Sequence, residues 1–445
     1  MTDVKVNLRM IVLDILMEID NGGLFHIVTG NALKKFQYLD KQDRSFIYRL
    51  AMGTVEKRIE LDYVINQFSS TVTAKQKPII RNILRMGVYQ ILYMDKVPES
   101  AACNEAVKLA EKKGFRTLKG FVNGVLRNIA RNVDSIQYPD KNTNIVKYLS
   151  IAYSVPEWIV DMWLKDFGIQ ATESMLNSFT RNNHTFIRCN TSKITPDELL
   201  VKLKEQGIKA SYASEVLNSQ SVLSIPSYAL VIDGYDYLEG LELFNDGFFW
   251  VQDISSMLAS QGDVIKRKDY CLDVCAAPGG KSLNAALIAA DGLVESRDLT
   301  TEKVALIEDN IHRLGITNIK TKVWDATVPD EESVNKADIL ICDLPCSGLG
   351  VLGKKTDIRY KIKQDSIEEL SKLQHKILDT VHTYIKEGGI LVYSTCTINK
   401  TENEDTVKWF VGKYPKFKLL SMEQMFPGEV GNDGFFLAKF QYIGV

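Results

Sequence analysis

From about residue 240 onward, apolar runs of four to seven residues alternate with helix-forming stretches, the runs falling at 270–275, 292–298, 319–324, 337–342 and 388–394. A strand that is apolar along its whole length has to be covered on both faces. The strand, loop, helix repetition supplies that cover, which confines this half of the chain to a doubly wound, mostly parallel α/β sheet. Ligands of such sheets sit outside the carboxyl ends of the strands, so the loops leaving these runs are where chemistry is expected. A further run, GFFLAKFQ over 434–441, reads as one more strand, antiparallel and at the sheet edge.

The first part of the chain has a different period. Over residues 4–132, apolar positions recur three and four apart, as in Leu8, Ile11, Val12, Ile15, Leu16 and in Ile79, Ile80, Ile83, Leu84, Val88, with no strand alternation. Short loops at Gly22-Gly23, Lys77-Pro78 and Lys113-Gly114 predict a compact bundle of antiparallel neighbours. The polar stretch 137–147, with Pro139, reads as a linker. Beyond it, Val155-Pro156-Glu157-Trp158 opens a helix, and Phe186, Arg188, Asn190 alternate with Thr185, Ile187, Cys189 as a strand. A helix over 196–206 and a strand over 228–232 complete a small α+β unit. At ~150 residues per domain the length fits about three domains, and the expected division is 1–136, 145–236 and 237–445.

With 54 basic and 56 acidic side chains, the net charge of −2 draws no polyanion, but the average hides a split. Residues 1–140 hold 21 Lys+Arg against 15 Asp+Glu, and the remainder 33 against 41. Basic residues collect in Lys75, Lys77, Arg81, Arg85 and in Lys112, Lys113, Arg116, Lys119, Arg127, Arg131, either as a solvated helix face or as a face that touches RNA. No run reaches the ~18 apolar residues of a membrane span, and Asp14, Glu18 and Asp20 interrupt any signal-peptide core, so a soluble, cytoplasmic chain is expected. Seven cysteines are too sparse for a disulfide framework, and free thiols are expected.

CLDVCAAPGGKS leads from a buried strand through Cys275, Ala276, Ala277, Pro278, Gly279, Gly280 and Lys281 into a helix. Adjacent glycines let backbone approach a ligand at a helix N-terminus. The loop is neither G-x-G-x-x-G nor G-x-x-x-x-G-K-[ST], which disfavours a dinucleotide or a triphosphate. Nineteen residues past Gly279, the strand GLVESRDL brings Asp298 to the place where a carboxylate meets ribose hydroxyls in nucleoside-binding sheets. Asp325 and Asp343 end the next two strands. Each carboxylate alone is as well explained by capping a helix, but three at successive strand ends suit an adenosine-containing, positively charged ligand.

DLPCSG and YSTCT set Cys346 and Cys396 just past neighbouring strands, so both thiols should face the crevice. Zinc is the rival explanation, since Cys271, Cys275, Cys342 and Cys346 form two C-x3-C pairs. Cys271 and Cys275, however, stand at opposite ends of one strand, about 13 Å apart at ~3.3 Å per residue, too far to share an ion, and no metal is expected.

LDVCAAPGGK, DLPCSG and YSTCT together resemble the signature motifs of the RNA cytosine-C5 methyltransferases, and the N-terminal helices are similar to the RNA-binding factor NusB. End to end, the chain resembles the bacterial 16S ribosomal RNA methyltransferase B family. That resemblance implies an all-α NusB-like bundle, a small α+β domain and an α/β Rossmann-like methyltransferase domain. It implies S-adenosyl-L-methionine held by Cys275–Lys281, with Asp298 on the ribose, Asp325 near the adenine and Asp343 in the site. It further implies a nucleophile at Cys396, product release aided by Cys346, and a partner in small-subunit ribosomal RNA at a loop cytosine of the position-967 type. A monomer without membrane contact is expected. Two departures from the family pattern are Leu344 in place of the common alanine and Lys355-Thr356-Asp357 in place of His-Pro-Asp.

The chemistry implied by the resemblance has its own logic. Cytosine C5 is a weak nucleophile until a thiolate adds at C6 and leaves an enamine. Asp343, if protonated or bridging, would hold N3 and the exocyclic amine as charge develops there, and Cys346 or a water would take the C5 proton. The base has to leave its stack, which is least costly in a loop. Phe248, Phe249 and Trp250 are expected in the core, while Gln252 and Asp253 stand either to read the flipped base or to cap the next helix. A tRNA cytosine is an alternative target, and a non-catalytic assembly factor is a second alternative, one that would not need both thiols.

Overall fold

The computed structural model describes residues 6–180, 184–217, 225–260, 264–428 and 432–444, so positions 4 and 5 of the expected helical stretch lie outside it. The chain divides into two compact units, residues 1–176 with 355–361 and residues 177–354 with 362–445. Among the described residues no helix is long and apolar enough to cross a membrane.

The first unit is helical: α1 (Leu8–Asp20), α2 (Phe25–Lys35), α3 (Lys41–Glu56), α4 (Arg58–Phe68), α5 (Pro78–Tyr93), α6 (Glu99–Lys112), α7 (Lys119–Arg131), α8 (Ile145–Tyr153) and α9 (Glu157–Ser178), the last kinked at Gly168. α5 is buried without a break from Asn82 to Gln90, whereas its neighbours bury one stripe. In α7, Val122, Val125, Leu126 and Ile129 face the core, while Lys119, Arg127 and Arg131 stay exposed. The expected linker at 137–147 ends early, because the Asn144 side chain accepts the Lys147 N–H and starts α8 at Ile145. The basic group on α5 is not one open face either, since Arg85 is buried in a two-pronged pair with Asp62 at 2.7 and 2.6 Å.

Residues 355–361 belong to this unit although sequence places them inside the methyltransferase-like half. α2 has no capping side chain of its own, and Asp357 accepts the Phe25 N–H at 3.1 Å in its stead. Lys361 donates to the Gly23 carbonyl at 2.6 Å and to Asp357 at 2.7 Å. The Tyr360 hydroxyl reaches the Glu56 and Ser154 carbonyls at 3.1 Å each. The departure Lys355-Thr356-Asp357 therefore retains the carboxylate, which acts here as a helix cap.

The second unit holds two sheets. The smaller is antiparallel, in the order β2-β3-β1-β4, with β1 (Thr185–Cys189), β2 (Lys209–Tyr212), β3 (Ala229–Asp233) and β4 (Phe249–Val251). Its helix Pro196–Glu205 starts in a reciprocal Thr195–Glu198 capping box. Of the three aromatics expected in the core, Phe249 and Trp250 are buried, while Phe248 is half-buried against it.

The larger sheet runs β10-β11-β9-β8-β5-β6-β7, built from β5 (Tyr270–Asp273), β6 (Leu293–Asp298), β7 (Ile319–Val323), β8 (Ala337–Asp343), β9 (Ile385–Thr395), β10 (Phe417–Met425) and β11 (Phe435–Tyr442). From β9 to β7 all pairs are parallel, and β5 lies where the winding reverses, between β8 and β6. The α/β expectation holds, with one correction. The strand expected at the edge, β11, sits inside, between β9 and β10, and β10 is the edge strand. β10 escaped notice because most of its side chains are exposed and it lacks an apolar run.

Candidate active site

β5 ends at Asp273, and the chain turns through 274–279 into the helix Gly280–Ile288. Gly279 makes the turn possible with φ of +105°, a region that disfavours residues with a Cβ. Lys281, in the first turn of that helix, is directed inward. It is buried and donates to Asp343 Oδ2 at 2.7 Å and to Ser256 Oγ at 3.0 Å. Burial opposes the Lys281 charge, but Asp343 outweighs it and holds the ammonium above its ordinary pKa, and Cys396 lies within the same field. The other oxygen of Asp343 accepts from Ser394 Oγ at 2.7 Å, across the register that pairs Asp343 on β8 with Ser394 on β9. One carboxylate thus ties together the ends of three elements.

Cys346 follows β8 and Cys396 follows β9, and their sulfurs are 3.3 Å apart. The hydrogen bond with Cys396, then burial, push the Cys346 thiol well above its ordinary pKa, and either sulfur can be the donor in the contact between them. A nearby ammonium such as that of Lys281 is a surrounding that favours the thiolate form of a cysteine. Both loops are held from beneath by Glu402, which is fully buried. It accepts the Ser347 N–H at 2.9 Å, Gln374 Nε2 at 3.1 Å, Ser347 Oγ and Asn399 Nδ2. Thr397, next to Cys396, shares a 2.7 Å hydrogen bond with Ser347, next to Cys346.

The remaining expected residues have more structural duties. Asp298 is buried, accepts the Ala277 N–H at 2.9 Å and the Leu299 N–H at 2.7 Å, and so fastens the glycine loop to β6. The Ala276 N–H donates to the Arg297 carbonyl at 2.8 Å, and the Pro278 carbonyl accepts from Asn310. Asp325 is exposed and uses Oδ1 on the Thr327 N–H at 2.8 Å. Cys275 packs with Cys342 in the core on one face of the sheet and Cys271 in that on the other, so the two C-x3-C pairs do not converge. Among the described residues no cluster of His, Cys, Asp or Glu could hold a metal ion. Asp253 caps the helix Ile254–Leu258, and Gln252 Oε1 accepts the Trp250 indole N–H at 3.1 Å.

Two residues escaped the sequence reading. Glu402 carries no local signal, because its partners Ser347 and Gln374 are remote in sequence. Asp273 did carry one, a carboxylate inside the apolar run 270–275. It is completely buried, accepts from Ser282 Oγ at 2.6 Å, and keeps Oδ1 without a hydrogen-bond partner among the described residues; burial raises its pKa to about 7.

Residues 264–441 match the 16S rRNA methyltransferase RsmB/F family, residues 6–131 the NusB family, and residues 155–221 the ferredoxin-like domain of RsmF/B-like methyltransferases. The probable ribosomal RNA small subunit methyltransferase B of Bacillus subtilis is 32% identical, over 99% of this chain and 100% of its own. Ribosomal RNA small subunit methyltransferase B of Proteus mirabilis is 28% identical over 90% of each chain. Among solved structures, PH0851 shares the fold with a TM-score of 0.82 at 24% identity, over 98% of this chain and 99% of its own. NSun6 from Pyrococcus horikoshii, solved with SFG, has a TM-score of 0.55 at 22% identity over 65% of this chain and 99% of its own. The motifs, the three matched regions and a relative aligned along its full length agree, and the chain belongs to the ribosomal RNA small subunit methyltransferase B family.

Proposed function

We propose that the chain methylates C5 of one cytosine in 16S rRNA, of the position-967 type, using S-adenosyl-L-methionine and a covalent bond from Cys396 to C6 of the base. The observation that carries this reading is the 3.3 Å pair of sulfurs beside the Lys281–Asp343 ion pair at the ends of β8 and β9.

The residues present suit the cofactor. A buried carboxyl at Asp273 has an oxygen without a hydrogen-bond partner among the described residues, the Gly279 turn lets backbone come close, and Asp298 at the end of β6 lies against the same loop. Cys275–Lys281, Asp298, Asp325 and Asp343 would hold it, and when bound it supplies an electrophilic methyl carbon on a sulfonium. Cys396 as thiolate adds to C6, and the electron pair of the C5–C6 bond moves into an enamine that makes C5 nucleophilic. Asp343 and Lys281 hold N3 and the exocyclic amine as charge grows there. Release needs the C5 proton to leave and the C6–sulfur bond to break, with the electron pair of the bond returning to sulfur. Cys346 relays the proton: its thiol protonates the departing sulfur, and its thiolate takes the proton from C5.

The test is tritium transfer from labelled S-adenosylmethionine to deproteinised 16S rRNA, with tRNA in parallel and adducts followed on denaturing gels. Cys396→Ser should give neither transfer nor adduct, and Cys346→Ala should accumulate a protein–RNA adduct. The opposite pattern would reassign the nucleophile, and labelling of tRNA alone would reassign the substrate.

A further inference from the structure

Within the helical unit, Asp20 and Gly22 at the end of α1, Arg58 on α4, and Pro78, Arg81 and Arg85 on α5 line a cavity of about 340 Å³, with Tyr360 and Lys361 on its wall. Four cations meet there, and they are unequally neutralised. Arg85 is paired with Asp62, and Lys361 with Asp357 and the Gly23 carbonyl. Arg58 and Arg81 both reach toward Asp20, each at 3.6 Å, which is beyond a normal hydrogen bond, and Asp20 Oδ2 already accepts from Asn82 at 3.0 Å; Asp62, held by Arg85, also bears on Arg58, whose guanidinium lies 5.2 Å from the centre of the Tyr360 ring. Arg81 Nε is buried with no acceptor among the described residues. Burial and the neighbouring Arg85 weigh against the Arg58 charge, and α5 opens on the cavity with no acidic residue in its first turn and no capping side chain.

Two guanidinium groups with one distant carboxylate between them, at the positive end of a 16-residue helix, leave about one unit of charge and several N–H donors unmet. The group that answers both is a phosphate, whose oxygens accept from planar guanidinium forks. We propose that this cavity binds a backbone phosphate of the RNA substrate, with exposed Lys75 and Lys77, just before Pro78, continuing the track. The inference rests on the RNA reading above and names where in the helical unit the polyanion is gripped. It also redraws the basic cluster seen in sequence: Arg85 is withdrawn by Asp62, and Arg58, from another helix, takes its place.

The experiment uses the full chain, deproteinised 16S rRNA in a filter-binding titration over a salt series, and inorganic phosphate as competitor. Arg58→Gln/Arg81→Gln should weaken RNA binding by about tenfold near physiological salt and flatten the slope of log K against log salt by ~0.7–0.9 for each phosphate the variant no longer neutralises. S-adenosylmethionine binding should stay unchanged, and Arg58→Lys/Arg81→Lys should retain the slope. If the glutamine pair fails to fold, Arg81→Gln against Arg81→Lys carries the same comparison. Unaltered affinity and slope in a folded glutamine variant overturn the proposal. So does inorganic phosphate that binds the wild-type chain at millimolar concentration yet leaves RNA affinity untouched, since that marks a site for the free ion. If the wild-type chain itself binds no 16S rRNA, the reading under Proposed function fails instead.

Discussion

Replacing Glu402 by glutamine probes how the two thiols are held. The side chain is fully buried and its two oxygens face four donors, from Ser347 N–H, Ser347 Oγ, Asn399 Nδ2 and Gln374 Nε2. Glutamine keeps the shape but turns one oxygen into an NH₂ group, so two of the four donors then meet a donor. Hydrogen bonds to a charged acceptor contribute about 1.5–3 kcal/mol each, which sets the loss at ~3–6 kcal/mol. Burial pushes the Glu402 pKa up, so removing its charge returns part of that, and about 3 kcal/mol is a reasonable net. In either orientation of the new amide the loss includes Ser347, next to Cys346, and displacement of reacting groups by ~1 Å costs about 10²-fold in rate. Single-turnover methyl transfer by Glu402→Gln should show kcat reduced on that scale with KM for S-adenosylmethionine little changed, because the glycine loop is fastened separately through Asp298. A wild-type kcat, or a parallel change in both constants, would refute the positioning role.

Three further substitutions test the carboxylates around the crevice. Lys281→Met leaves Asp343 with Ser394 only; because Asp343 is 30% exposed, the expected destabilisation is about 2 kcal/mol rather than the ~3–5 of a fully buried pair. Adding Asp343→Asn should recover most of it, and a denaturant series in which the single variant matches wild type would contradict the pairing. For Asp273, the folded-state pKa of about 7 lies above the unfolded value near ~3.9, so the native chain keeps a proton that the unfolded chain releases. Stability from this group is therefore present below about pH 4 and lost as pH rises toward 7, by at most ~4 kcal/mol. Thermal midpoints of the cofactor-free chain should fall across that window and flatten in Asp273→Asn; identical profiles would mean the carboxyl titrates normally.

What sequence made legible was periodicity and punctuation. Apolar stretches marked β5, β8 and the later part of β9 because these strands are covered on both sides, whereas β6 is apolar only at Leu293 and Val294, and the motif loops followed from where such strands end. β10 carries mostly exposed side chains, so its pattern resembles a loop, and β11 was consequently placed one position too far out. Among the site residues, Cys346, Cys396, Lys281 and Asp343 come together, yet the inward turn of Lys281 depends on Ser256 and Asp343, remote partners that no local pattern reveals. Asp298 and Asp325 each bond backbone N–H groups, the capping role that a strand-end carboxylate always offers. The same limit hid the segment 355–361, whose partners lie more than 200 residues away.

The position of β11 bears on when during synthesis such a site can exist. Phe436 pairs with Thr395, directly before Cys396, while the Gly434 N–H donates to Gly350, whose own N–H donates to the Cys396 carbonyl. A ribosome has therefore translated the motif loops long before residues 434–436 emerge to close around the reactive sulfur. On the proposed chemistry, an unfinished chain would carry a complete cofactor loop but a thiol lacking the support that β11 adds to the one from Glu402.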